Sequence, residues 1–178
     1  MKTLTSLIVL LVLLVNTSAQ AASKQEIDVY VEETLNEFRQ HSPAGAKLAA
    51  RSRGMLVFPK IYKAGFGIGG EYGEGALRIG GQNVAYYSTA AASIGFQLGA
   101  QRKAQIILFM TDESLGKFRN SDGWEAGVDG SVAIATLGAG EAIDTNTAQQ
   151  PIIGFIFSNE GLMFNLNLEG SKFTKIVR

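Results

Sequence analysis

The sequence predicts an α+β fold: a mainly antiparallel β-sheet, sandwich or barrel-like, with two N-terminal helices and one short internal helix. Three observations carry this. Helical spacing of apolar residues is confined to the segment before Met55 and to one later octet. From Met55 onward the pattern changes to short apolar runs and strict alternation. Glycine, with 21 residues, stands at roughly twice its usual frequency of about 7% among plentiful aliphatic and aromatic side chains. Such a composition suits packed β structure with tight turns and close backbone contacts rather than a disordered linker.

The first residues form a leader. Lys2 supplies a positive n-region, Leu7 to Val15 is a run of nine apolar residues, and Ala19-Gln20-Ala21 places small residues where a signal peptidase reads them. Residues 1–21 are therefore expected to be a signal peptide cleaved after Ala21, and the product to be periplasmic or secreted. Nine apolar residues fall short of the about 20 that span a bilayer. With no cysteine the chain can carry neither a lipoprotein anchor nor a disulfide, so stability must come from its core. Losing Lys2 leaves 15 basic against 16 acidic residues, a formal charge of −1. A near-neutral balance predicts no nucleic-acid partner, and electrostatic function must come from local clustering.

Ser23 to about Gln40 reads as a helix, with Ile27, Val31, Thr34, Leu35 and Phe38 on one face and Ser23 with Glu26 as a capping box. Its polar face carries Glu26, Asp28, Glu32, Glu33 and Glu37. Ser42-Pro43 opens a second helix expected through Ala44 to Arg53, stopping at Gly54. Met55-Leu56-Val57-Phe58 is a short strand closed by Pro59. Further strands are expected in the glycine-rich segment, at Ala76–Ile79 and at Val84–Leu98, with Gly80-Gly81 as a turn. Ala104–Met110 is a buried strand. Asp112–Arg119 is the internal helix, capped by Thr111 or Asp112, with Leu115 and Phe118 inward. Asn120 to Gly123 is a turn. Trp124–Thr136, Ile152–Phe157 and the alternating Leu162–Glu169 are the last strands, with Ser158–Gly161 as a hairpin turn and Gly138–Gln150 as a surface loop.

Gly65, Gly67 and Gly70 satisfy the spacing G-x-G-x-x-G, but a dinucleotide fingerprint must end a strand and open a helix whose N–H groups meet the pyrophosphate. Glu71-Tyr72-Gly73-Glu74-Gly75 is a poor helix start and brings two acids where phosphate would lie. In a strand, Gly65, Gly67 and Gly69 share one face and Phe66 and Ile68 the other, so something can pack close against the bare face. His41 is the lone histidine, and there is no G-x-S-x-G, so no metal site, cofactor or nucleophile constellation is expected. Glu71, Glu74, Glu125 and Asp129 are the carboxylates that a hydrolase would have to pair.

Between Phe38 and Gly70 stand six basic residues, Arg39, Lys47, Arg51, Arg53, Lys60 and Lys63, and no acid. Phe58, Tyr62 and Phe66 interleave with the later cations. Two readings stay open: a surface attracted to anionic lipid, where each cation contributes roughly 1 kcal/mol, and a solvated basic rim pairing with the acidic first helix.

Ala50-Arg51-Ser52-Arg53-Gly54-Met55-Leu56-Val57-Phe58-Pro59 and the stretch from Lys63 to Gly75 resemble the signature of the SYLF domain. Ser93-Ile94-Gly95-Phe96-Gln97-Leu98-Gly99-Ala100-Gln101 is similar to that family's second block, and Asn159-Glu160-Gly161-Leu162 with Leu168-Glu169-Gly170 to its C-terminal hairpin. The resemblance covers about Ala44 to Phe173 and implies a SYLF-like lipid-binding domain over 44–178, preceded by an amphipathic helix over 22–43. Eukaryotic relatives associate with phosphoinositide membranes and some with actin assembly; secreted bacterial relatives are called actin-regulator-like. Two departures stand out: the first helix is acidic where relatives are basic, and Tyr86-Tyr87-Ser88-Thr89 replaces a Trp-x-Pro element.

The expected function is thus a non-enzymatic envelope protein binding anionic phospholipid. Lys47, Arg51, Arg53, Lys60 and Lys63 would meet headgroup phosphates, and Phe58, Tyr62 and Phe66 would give apolar contact. The alternatives are an envelope scaffold docking a protein partner and a carboxylate-dependent hydrolase.

Overall fold

The computed structural model describes residues 22–95, 101–135, 143–158, 161–162 and 168–178, with the backbone alone at 64–68, 93–95, 101, 158 and 161–162. The leader, the side chain of Phe66 and residues 163–167 of the alternating segment lie outside this description.

Helix α1 (Lys24–His41) begins on the expected capping box. The Glu26 N–H donates to Ser23 Oγ at 3.2 Å and the Ser23 N–H to Glu26 Oε2 at 2.8 Å. Ile27, Val31, Thr34, Leu35 and Phe38 are its buried residues. Helix α2 (Pro43–Ala49) is capped by Ser42, whose Oγ accepts from the Gly45 N–H at 3.0 Å. It ends four residues before the expected Arg53. The Arg53 N–H donates to the Phe109 carbonyl at 2.8 Å, so the sheet has already claimed that backbone.

Strand β1 (Gly54–Ile79) runs 26 residues without interruption, and Pro59 does not close it. Pro59 falls in the register irregularity between Phe58 and Ile61, where its missing N–H breaks no ladder bond. The first half of β1 pairs with β3 (Gln101–Phe109), and its second half with β2 (Gln82–Gly95), all antiparallel. Gly80 and Gly81 turn the chain between β1 and β2 with φ of 58° and 82°, values that favour glycine. Helix α3 (Asp112–Arg119) follows, capped by Thr111 Oγ1 accepting from the Ser114 N–H at 3.1 Å. The short strands β4 (Trp124–Glu125) and β5 (Ala133–Ile134), helix α4 (Thr145–Ala148), and strands β6 (Ile152–Ser158), β7 (Gly161–Leu162) and β8 (Lys172–Ile176) complete the chain. The sheet order is β4-β8-β2-β1-β3-β6-β5, with β7 on β6; only β5 with β6 is parallel.

Three expectations need correction. Trp124–Thr136 is not one strand: Gly127 turns at φ 88°, and the Asp129 carboxylate accepts the Glu125 N–H at 2.6 Å, splitting it into β4 and β5. The loop expected over Gly138–Gln150 contains α4, started by Asp144 accepting from the N–H groups of Asn146 and Thr147. In the alternating Leu162–Glu169 segment, strand structure is described only for Gly161–Leu162, while Leu168 is buried outside any strand and a turn follows at Glu169-Gly170.

The sheet is covered on both faces. Val57, Ala76, Tyr86, Ile106, Leu108 and Phe155 join Ile27, Val31, Leu35 and Phe38 beneath α1. Their strand neighbours Leu56, Phe58, Leu77, Tyr87, Ile107 and Phe109 join Leu115, Phe118, Trp124 and Phe173 on the inner face. The period of two along β1 and β3 sorts these residues into two cores. β1 also folds back on itself. A Cβ on Gly73 would lie 2.6 Å from the Lys60 carbonyl oxygen, and one on Gly75 would overlap the Val57 carbonyl.

The acidic face of α1 docks it to the β1–β2 hairpin. Asp28 accepts from Asn83 Nδ2 and the Tyr86 hydroxyl, each at 2.7 Å, and from Lys24 Nζ at 2.8 Å. Glu32 pairs with Arg78 at 2.5 Å. Burial opposes ionisation of Asp28, yet the hydrogen bonds from Lys24, Tyr86 and Asn83 hold its carboxyl below the ordinary value. A depressed folded pKa contributes stability that is complete above the unfolded value, about 3.9, and is lost as pH falls through the folded one. Acid titration of stability should therefore show a limb below about pH 4 that Asp28→Asn flattens. Superimposable acid limbs in the two proteins would refute this role for Asp28. Among the described residues no helix is long and apolar enough to cross a membrane.

Candidate functional site

The acid-free basic segment does not present one face. Lys47, Arg51 and Arg53 are exposed around the end of α2, and Arg53 Nε lies 3.5 Å from Asp112 Oδ2 at the start of α3. Lys60 stands seven residues further along β1, about 23 Å of extended chain. Its Nζ sits 3.0 Å above the centroid of the Tyr30 ring, a cation–π contact with α1. Lys63 lies on the opposite face, with Nζ 3.8 Å from Glu71 Oε1. Phe58 is a correction: it is 0% exposed and packs on Phe173 at 5.6 Å between centroids, so it offers nothing to a surface. The bulge after Phe58 sets Lys60 and Tyr62 toward α1 while Phe58 stays in the inner core. Tyr62 is 54% exposed.

Between the first half of α1 and β1 lies a groove of about 590 Å³. Ile27 and Tyr30 form its α1 side, and Pro59, Tyr62 and Tyr72 its β1 side. Beside it is a smaller cleft of about 220 Å³ with the polar side chains Glu33 and Glu37 from α1 and Arg102 from β3; Lys103 adds to its wall. Groove and cleft share Tyr30, Pro59 and Lys60. Arg102 belongs there because it is the cross-strand partner of Tyr62, which places both on the same face of the β1–β3 ladder. Sequence reasoning missed Tyr30, Tyr72 and Arg102. Tyr30 sits three residues from Ile27, at the rim of the apolar stripe, and so carried a helical signal. Nothing local marks Arg102, whose place depends on register.

The electrostatics of the rim are largely internal. The Tyr72 hydroxyl donates to Glu74 Oε1 at 2.8 Å, and Arg178 pairs with the same carboxylate. Burial and then the Glu74 hydrogen bond push the Tyr72 phenol up from its ordinary value. Bonds from Ser23, with a smaller contribution from Lys60, hold Glu26 below the usual carboxylate range.

Among the described residues three of the carboxylates and the glycines singled out for other chemistries have other partners. The glycine-rich stretch continues as strand to Ile79 and turns into β2, so no helix follows it to meet a phosphate. Glu71 bonds Lys103, Glu74 bonds Arg178 and Tyr72, and Asp129 bonds a backbone amide; each is engaged with a donor rather than with a second carboxyl. His41 Nδ1 contacts the Glu37 carbonyl one turn back at 2.9 Å. Among the described residues no three His, Asp or Glu side chains are arranged to hold a metal. What the arrangement can do is take up an amphiphile, with apolar and aromatic walls for its body and Lys60 and Arg102 for an anionic head.

A family model described as Ysc84, Las17-binding protein actin regulator, matches residues 90–176. That span contains the second block and the C-terminal hairpin of the resemblance, and begins after the glycine-rich stretch. No curated protein matches the chain.

Proposed function

We propose that the chain is a member of the Ysc84 (SYLF) family, whose model matches residues 90–176, and that it is a non-enzymatic lipid-binding module taking anionic phospholipid beside Lys60. The observation that carries this reading is the wall of Tyr30, Pro59 and Lys60 shared by an apolar groove and a charged cleft. An acyl chain or glycerol body lies along Tyr30, Tyr62 and Tyr72, and the phosphate meets Lys60 and Arg102, the latter able to bind two oxygens at once. Two cations facing Glu33 and Glu37 suit a singly charged phosphodiester better than a polyphosphorylated headgroup, which the acids would repel. Lys47, Arg51 and Arg53 add a separate, unspecific attraction to an anionic surface. The leader read in residues 1–21 supports a periplasmic or extracellular setting for this activity.

Co-sedimentation with phosphatidylglycerol-containing and pure phosphatidylcholine vesicles tests the proposal. At roughly 1 kcal/mol per cation, the double variant Lys60→Gln/Arg102→Gln binds anionic vesicles about 30-fold more weakly, and binding falls as salt rises. Arg51→Gln/Arg53→Gln, changed in the same way, has the smaller effect. A larger loss in the second pair would move the site to the end of α2. Equal binding to both vesicle types would favour a protein-docking module instead.

A further inference from the structure

On the inner face of the sheet, opposite the groove, lies a polar cluster that the lipid reading does not use. Glu71 of β1 pairs with Lys103 of β3 at 2.5 Å through Oε2, and its Oε1 lies 3.8 Å from Lys63 Nζ. The side chains of Glu71 and Lys103 are 15% and 10% exposed. Lys103 opposes Ile61 across the ladder, and Gln105 opposes Phe58, so both face the inner core. Gln105 is 1% exposed, and its Nε2 has no hydrogen-bond partner.

Leaving a buried amide donor unsatisfied is costly, and an apolar residue of similar shape would avoid that cost. Here the orphan donor follows two residues after a buried ammonium on the same strand face, about 7 Å along it. Lys63 is too far from Glu71 for a hydrogen bond, so the carboxylate does not consume its donors. Two ammonium groups and, about 7 Å along the same sheet face, one unpartnered amide N–H thus stand near a single carboxylate among the described residues. The local surplus is one positive charge and several N–H groups, the donor set that recognises a tetrahedral oxyanion.

We propose that Lys63, Lys103 and Gln105 form an interior site for a phosphate group, in which Glu71 stands as the internal anion when no ligand is present. The phosphate is free inorganic phosphate or the head of a phosphorylated amphiphile; both offer the same oxygens. Entry exchanges one anion for another, with the Glu71 carboxylate released from Lys103. Register places these side chains on the other face of the sheet from the groove, although Lys103 also contributes to the wall of the neighbouring cleft, and the site does not rest on the lipid reading.

Thermal unfolding of the full chain with and without inorganic phosphate tests the site. Removing the internal anion with Glu71→Gln should create a phosphate-dependent rise in Tm of about 4 °C at ten times the Kd, larger than that of the wild type. Adding Lys103→Gln abolishes the gain, and adding Gln105→Leu reduces it at least threefold. Lys60→Gln/Arg102→Gln leaves it unchanged, which separates failure here from failure of the lipid site. A folded Glu71→Gln protein that responds to phosphate no more than wild type overturns the proposal and leaves the cluster a structural ion pair. Should Glu71→Gln not fold, Glu71→Asp withdraws the carboxylate by one methylene and should give an intermediate response; no gain there overturns the proposal equally. Anionic vesicles in phosphate-free buffer identify the source: tighter binding by the Glu71 variant, competed by phosphate, means a headgroup, and unchanged binding means free phosphate.

Discussion

Replacing Gly75 by alanine is expected to destabilise the protein by about 3 kcal/mol or more, at the upper end of the usual cost of overpacking. The added Cβ would overlap the carbonyl of Val57 and press on the Phe58 ring, 2.8 Å away. The obstacle is backbone, which cannot swing aside as a side-chain tip would. Relief requires the two halves of β1 to separate, and that would open the inner core around Leu56, Phe58 and Leu77. Gly73→Ala meets the Lys60 carbonyl at 2.6 Å and should be the milder of the two. Gly116 is the internal control: inside α3, with nothing within 4 Å of an added Cβ, its alanine variant should gain roughly 0.5–1 kcal/mol. Urea denaturation reads all three. A loss below about 1 kcal/mol at Gly75 would mean that β1 does not double back as described.

Phe118→Ala is expected to cost about 3–5 kcal/mol, the range for emptying a large aromatic site. Phe118 is 1% exposed at the centre of an aromatic cluster on the inner face. Its ring centroid lies 4.8 Å from Phe109, 4.9 Å from Tyr87, 5.9 Å from Trp124 and 6.5 Å from Phe173. These partners come from β3, β2, β4 and β8, so one side chain on α3 joins elements that are distant in the chain. The cavity borders several rigid rings and cannot collapse cheaply. Phe118→Leu keeps most of the volume and should lose under half as much. Equal losses in the two variants would show that shape, not volume, is decisive there; a loss below 1.5 kcal/mol for alanine would show the cluster to be loosely packed.

Local signals were read correctly where the physics is local. The capping box at Ser23 and Glu26, the buried stripe of α1, the Thr111 cap and the Gly80-Gly81 turn all stand as expected, because each depends on residues within about four positions. Errors arose where a local rule met a longer-range competitor. Pro59 reads as a strand terminator, yet a bulge takes up its missing N–H and β1 continues. Trp124 to Thr136 is apolar enough for a strand, yet Asp129 captures the Glu125 N–H and turns the chain. Strand β8 reads polar, apolar, polar, polar, apolar from Lys172 to Ile176, which breaks the period of two, so nothing local identifies it before its pairing with β2 is known.

For the candidate site the division is sharper. Lys60 and Tyr62 stand out as a cation beside an aromatic, but their sequence neighbours do not share their surroundings: Phe58 is in the inner core and Lys63 faces Glu71. The acids of α1, which read as an obstacle to anionic surfaces, are partly consumed in docking, Asp28 to Asn83 and Tyr86, and Glu32 to Arg78.

By itself the sequence carried a resemblance to one family, the α+β class, the helix caps and the presence of glycines that let something pack close. Only the tertiary structure decided what that something is: at Gly73 and Gly75 it is the earlier half of the same strand. It also decided which cations share a surface, since strand register and one bulge, not spacing along the chain, place Lys60 beside Arg102 and apart from Arg53. The physical reason is that caps and periodicity are set by neighbours a few residues away, whereas faces and pockets are set by pairings that a single shifted residue would invert.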